Sequence, residues 1–179
     1  MLKILGQPGE NNAEMESIAM EKGFIARLPE KVEKEGQKIK MRGILEKDYE
    51  GRRDFRKTLT FTIDPSDAKD FDDAISFREI ESKNLSPTPL HSKNGEGRRG
   101  EENQQKLYEI GIHIADVSHY VKIGSELDME ARQRGTSVYL VDRTIPMLPE
   151  ALSNDLCSLV PHKERLTLSA VFVMDKNNK

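Results

Sequence analysis

The sequence predicts a mixed α/β fold, and three observations point to it. The stretch up to about residue 57 is polar and reads as helices separated by Gly/Pro turns. From Thr58 the texture changes to short β-prone runs divided by acidic and Gly/Pro-rich turns. Within that second stretch, Ser125 to Gly135 carries its own helix start and stop signals. The 179 residues suffice for one ordinary domain, or one domain and a piece of another. A boundary near Thr58 divides residues 1–57 from 58–179.

Leu2–Leu5 is a β-like fragment, followed by the turn Gly6-Gln7-Pro8-Gly9. Asn11 or Asn12 can cap a helix to about Lys22, with Glu14 closing a capping box and Gly23 as the stop. Met15, Ile18 and Ala19 give that helix one narrow apolar face. A second, very polar helix covers Val32 to about Met41 and reads as a surface or linking helix. Leu59–Ile63 is a β-prone run and Ala74–Ile80 the next strand. Leu107–Val117 alternates, with Ile110, Ile112 and Ile114 on one face and Glu109, Gly111 and His113 on the other. Ser125 caps a helix ending near Arg134-Gly135, and further strands are predicted at Ser137–Val141 and Leu166–Met174.

Glu81 to Lys106 has almost no apolar residues and cannot offset the entropy of ordering, so it reads as a long disordered hairpin insert. Arg98-Arg99 within it could touch RNA phosphates, although a solvated loop is the ordinary reading of such a run.

Composition sets outer limits. A hydrophobic fraction of 36% against 33% charged residues implies a modest core. The formal net charge of −3 gives no global sign of nucleic-acid binding. No run of ~18 apolar residues is present, which predicts no membrane span. The lone Cys157 excludes an internal disulfide framework and fits a reducing, cytoplasmic setting. Its apolar neighbours Leu156 and Leu159 mark it as packed rather than nucleophilic.

The chemistry concentrates in Asp64-Pro65-Ser66-Asp67-Ala68-Lys69-Asp70-Phe71-Asp72-Asp73. Carboxylates this dense repel one another, and a fold that gathers them commonly holds a cation between them. Hard oxygen donors suit Mg²⁺ or Mn²⁺ and therefore metal-assisted phosphoryl chemistry. A solvated acidic loop is the plainer alternative, but the β-prone flanks argue against it. An EF-hand loop fails, because its sixth and twelfth positions counted from Asp64 hold Lys69 and Ile75. His113, Asp116 and His119 share a three-residue spacing, yet a strand would not bring them together, and a structural role is expected. Tyr139 could pack or stack on a base; its own surroundings favour packing.

Thr62 to Ala74 resembles the signature of the ribonuclease II and ribonuclease R family, closest to the bacterial ribonuclease R type. Gly111-Ile112-His113-Ile114-Ala115-Asp116-Val117-Ser118 and Ile145–Pro149 through Leu152–Leu159 match further family blocks in the right order. The resemblance implies processive, Mg²⁺-dependent hydrolysis of single-stranded RNA from its 3′ end, releasing nucleoside 5′-monophosphates. It implies Asp64, Asp70 and Asp73 as metal ligands, Asp72 with Asp70 as catalytic residues, and Tyr139 as an aromatic that clamps RNA. For Tyr139 the stacking reading thereby overtakes packing. The implied architecture is part of the RNB catalytic domain, preceded over 1–57 by the end of a cold-shock-type OB domain and a helical linker. The intact enzyme is expected to be a cytoplasmic monomer.

The family's downstream arginine, its second clamp aromatic and its C-terminal RNA-binding domain have no counterpart in these residues, and the 81–106 insert exceeds the family pattern. A half-domain with open strand edges predicts weak metal binding and little or no turnover for the chain alone. A non-catalytic RNA- or protein-binding module on the same scaffold is the second functional expectation.

Overall fold

The computed structural model describes residues 4–81 and 106–176. Two helices come first. α1 (Asn11–Glu21) starts after Glu10, whose backbone is extended, and neither asparagine caps it. No side chain caps its first turn; the glutamates instead hold the turn before it, Glu14 Oε1 accepting the Gly9 N–H at 3.0 Å and Glu10 Oε2 the Gln7 N–H at 3.2 Å. The helix buries Ala13 and Ala19 while Ile18 is exposed, so the expected apolar face is only partly used. The predicted Leu2–Leu5 strand falls partly outside the described residues, and Ile4–Leu5 are not in a strand.

α2 (Glu30–Arg42) carries acids in its first turn and bases in its last, complementing the helix dipole. It is more than a surface helix. Val32, Gly36 and Ile39 form one strip at helical spacing, and Val32 belongs to the main core. A Cβ on Gly36 would stand 3.1 Å from Pro149, so glycine lets the helix approach this closely without Pro149 giving way. The sequence hid this role because one strip of three residues does the packing.

The sheet is β1 (Leu59–Phe61), β2 (Asp73–Glu81), β3 (Lys106–Ala115) and, added to the far side of β3, a last strand, Thr167–Asp175. Every pairing in it is antiparallel. β2 and β3 pair out to Glu81 and Lys106, on either side of residues 82–105, which hold nearly all of the predicted insert, Arg98 and Arg99 included, and lie outside the described residues. After β3, Asp116 caps a single helical turn, α3 (Val117–Tyr120), where the sequence had suggested more strand. α4 (Glu126–Arg134) is capped by Ser125, which accepts the Asp128 N–H, and stopped by Gly135 in the left-handed region. β4 (Val138–Tyr139) pairs with β5 (Thr144–Ile145) as a small separate ribbon. A π-helical turn, Leu152–Leu156, precedes the last strand, now β6 (Thr167–Asp175).

The core gathers Val32, Tyr120, Leu127, Leu148, Leu152, Leu156 and Leu166 beside the sheet. Each fully buried leucine contributes about 1.5–3 kcal/mol. The sheet's two faces are used in an unexpected sense. Glu109 and His113 are buried, whereas Ile112 and Ile114 are 43% and 48% exposed. The reason lies in residues 52–55, which lay charge and an aromatic ring over the polar face. Arg53 pairs with Glu109 at 2.7 Å, Arg52 with Asp116 at 2.6 Å, and Phe55 meets the His113 ring edge-on at 4.8 Å. Gly111 makes room there, since a Cβ would fall 2.4 Å from Ser76 Oγ and 2.6 Å from His113 Nε2. Among the described residues, no helix is long and apolar enough to cross a membrane.

Candidate active site

The acidic run links β1 to β2. Asp64 lies just beyond β1, and Asp73 opens β2 opposite Ile114. Residues 69–72 between them are held from outside the loop. The Ala115 N–H, at the end of β3, donates to the Asp72 carbonyl at 3.0 Å, and the Leu159 N–H donates to the Phe71 carbonyl at 2.8 Å. The Ser158 hydroxyl donates to the Lys69 carbonyl at 2.7 Å and accepts the Phe71 N–H at 3.0 Å.

Asp72 is the electrostatic centre. Its carboxyl is pushed above the ordinary aspartate value, first by partial burial, then by the charges of Asp70, Asp73 and Asp64. By surface area Asp72 is nonetheless exposed, so the group stays reachable from solvent. Among the described residues, none of these four aspartates forms an ion pair with a lysine or arginine. Their mutual repulsion is therefore uncompensated by the protein.

Tyr139 stands on the β4–β5 ribbon, 68% exposed, and its hydroxyl donates to Asp70 Oδ2 at 3.0 Å. That bond, followed by partial burial and the charges of Asp70 and Asp72, raises the phenol above its ordinary value. The packing alternative for Tyr139 is thus set aside: the ring is open and its polar end is in the acidic site. Cys157 sits 3% exposed, pushed up to about 12, mainly by burial and further by Asp72. A thiol so placed stays protonated and inert.

The His113, Asp116 and His119 series does not converge. His113 bridges strands, with Nε2 2.8 Å from Ser76 Oγ and Nδ1 2.7 Å from Ser169 Oγ. Asp116 caps α3 and pairs with Arg52, while His119 Nε2 approaches Asp48 at 3.4 Å. Among the described residues no group of three or more His, Cys, Asp or Glu side chains is placed so that it could hold a metal ion as it stands. The acidic loop nevertheless fits a divalent cation by its donors: carboxylate oxygens of the hard class, crowded enough to raise Asp72, with no basic partner. Asp64, Asp70 and Asp73 are the residues that would hold it.

The profile of the RNB domain matches residues 52–179. This chain belongs to the RNB family. Ribonuclease R of Thermotoga maritima is 41% identical over 100% of the chain and 22% of its own length. Mycoplasma genitalium RNase R, solved in complex with double-stranded RNA, superposes with a TM-score of 0.75 at 27% identity, covering 97% of this chain and 26% of that one. Yeast Ssd1, described as a pseudonuclease, shares the fold with a TM-score of 0.61 at 24% identity, covering 96% of this chain and 19% of its own. The chain thus spans about a fifth to a quarter of the length of the proteins it matches.

The anchors of the loop were not found from the sequence. Ser158 falls in the matched block Leu152–Leu159, but nothing local ties it or Arg165 to the acidic run, and Ser158 lies 87 residues from Phe71. Only the topology brings them to the acidic run.

Proposed function

We propose that this RNB chain carries the acidic centre of an exoribonuclease that shortens single-stranded RNA processively from its 3′ end, with Mg²⁺ or Mn²⁺, releasing nucleoside 5′-monophosphates. The observation that carries this reading is the uncompensated set Asp64, Asp70, Asp72 and Asp73 around a raised Asp72. Relatives named ribonuclease R, and such an enzyme solved with RNA, support the substrate class. A cytoplasmic monomer completes the reading, to which the buried, reduced Cys157 lends support.

Asp64, Asp70 and Asp73 would hold the cation, which would supply water activation and charge stabilisation at the leaving oxygen. Asp72, displaced upward in pKa and open to solvent, is suited to take a proton as the attacking water is consumed. Asp70 assists from beside it and is oriented by the Tyr139 hydroxyl. The exposed Tyr139 ring is free to stack on a terminal base, a contact worth about 1–3 kcal/mol whatever the base. A binding module is the competing reading, and the fold shared with a pseudonuclease is the observation that favours it.

The test is a 5′-labelled single-stranded RNA incubated with the chain in Mg²⁺ or in chelator, beside Asp72→Asn. Slow stepwise 3′ shortening, lost in chelator and in the variant, is the expected result. Retention of intact RNA by the folded chain, equal with and without Mg²⁺, would overturn the nuclease reading in favour of the binding module.

A further inference from the structure

We propose that Ser158 is the positioning residue of the acidic loop, fixing the backbone on both sides of Asp70 through a single buried hydroxyl. This rests on the reading of that loop as a cation site. Ser158 has no exposed area. Its hydroxyl uses both of its capacities on the loop: the O–H donates to the Lys69 carbonyl and the oxygen accepts the Phe71 N–H. The two bonds bracket Asp70 and hold its Cα against a fixed point. The next residue adds the Leu159 N–H to the Phe71 carbonyl, so one short turn grips three backbone polar groups on Lys69 and Phe71, either side of Asp70.

That turn is itself braced. The Ser158 N–H donates to the Asp155 carbonyl at 2.9 Å. Arg165 Nε donates to the Ser158 carbonyl at 2.9 Å, and its Nη2 reaches Asp155 Oδ1 at 3.1 Å. Leu156 and Cys157 anchor the same turn in the core. The line of support therefore runs from the core, through Arg165 and Ser158, to the backbone of the catalytic carboxylates. The contrast within the loop is informative. Among the described residues, the backbone over 64–68 makes only the local Ala68 N–H to Pro65 carbonyl bond, whereas 69–72 is gripped by distant residues. Mutually repelling carboxylates spread unless their backbone is tied, and ties of this kind typically carry 10–100-fold in metal affinity.

The test is Mn²⁺ binding by electron paramagnetic resonance, at a temperature well below the unfolding midpoint, for wild type, Ser158→Ala, Asp64→Asn and Leu127→Ala. Leu127 is a fully buried core residue on α4, so its variant reports loss of stability alone. Wild type and Leu127→Ala are expected to bind Mn²⁺ alike, Asp64→Asn to lose binding, and Ser158→Ala to bind about tenfold more weakly while folded. Where alanine does not fold, Ser158→Cys keeps the volume with a weak donor and acceptor, and is expected to fall between wild type and that tenfold loss. Wild-type affinity in a folded Ser158 variant, with Asp64→Asn defective, would overturn the positioning role and leave the acidic centre standing. Wild type without Mn²⁺ binding, or Asp64→Asn equal to it, would overturn both.

Discussion

The carboxylates of this chain occupy two regions that treat negative charge in opposite ways. Beneath the sheet, Glu109 takes Arg53 and Arg78, Asp116 takes Arg52 together with Ser118 and the His119 N–H, and Asp48 takes Arg42 and the Leu45 N–H. All three are lowered in pKa despite the opposing effect of burial. In the acidic loop, Asp72 is raised, and among the described residues the only side-chain donor to Asp70 is a neutral phenol. The first region holds the fold by pairing charge. The second is held by the fold with its charge left over, and the proposed cation site rests on that contrast.

Breaking the paired region is expected to cost most. Arg52→Ala leaves Asp116 buried without its cation and removes bonds to the Asp48 and Thr167 carbonyls. A loss of about 3–5 kcal/mol is expected in urea unfolding. Gly111→Ala ranks next. The added Cβ meets Ser76 Oγ and His113 Nε2 head-on, and about 1–3 kcal/mol should be lost, together with the His113 bridge between β2 and β6.

A pH titration of stability separates the same two regions without mutation. Burial holds His113 below the ordinary imidazole value of 6.5, so the unfolded chain binds its proton first. Stability should fall as pH drops below about 6.5, and His113→Gln should flatten that limb. Asp72 runs the other way: its raised pKa means the folded chain takes up the proton first, so its protonation adds stability as pH falls toward the ordinary range. Glu109 and Asp116, lowered when folded, lose their contribution only at still lower pH. The smallest effect is expected from Asp72→Asn, which relieves like-charge repulsion and should leave the urea midpoint unchanged or slightly higher. A clear loss of stability there would make Asp72 a structural residue and dissolve the contrast between the regions.

Local patterns carried much of this structure. The alternation of β2 and β3, the Ser125 cap and the Gly135 stop all show in neighbouring residues, and the structure keeps them with shifts of one or two positions. The density of aspartates marked the candidate site for the same reason. What failed to show was anything settled by distant partners. Glu109 and His113 looked like the solvent face of β3 until Arg53 and Phe55 were brought over them. α2 looked peripheral because Gly36 hides a helix contact with Pro149 that no periodicity reveals. Tyr139 was ambiguous because its hydroxyl finds Asp70 across 69 residues of chain. The β4–β5 ribbon that presents it rests on only two pairs of residues.

The most direct test of the leftover charge in the acidic loop is thermal unfolding with and without Mg²⁺ at matched ionic strength, for wild type and Asp64→Asn/Asp72→Asn. A cation that binds only the folded chain adds about 2.7 kcal/mol at a hundred times its dissociation constant. The midpoint should rise with Mg²⁺ in wild type and stay fixed in the double variant. An equal response in both proteins, or none in either, would contradict the assignment of the loop as a cation site.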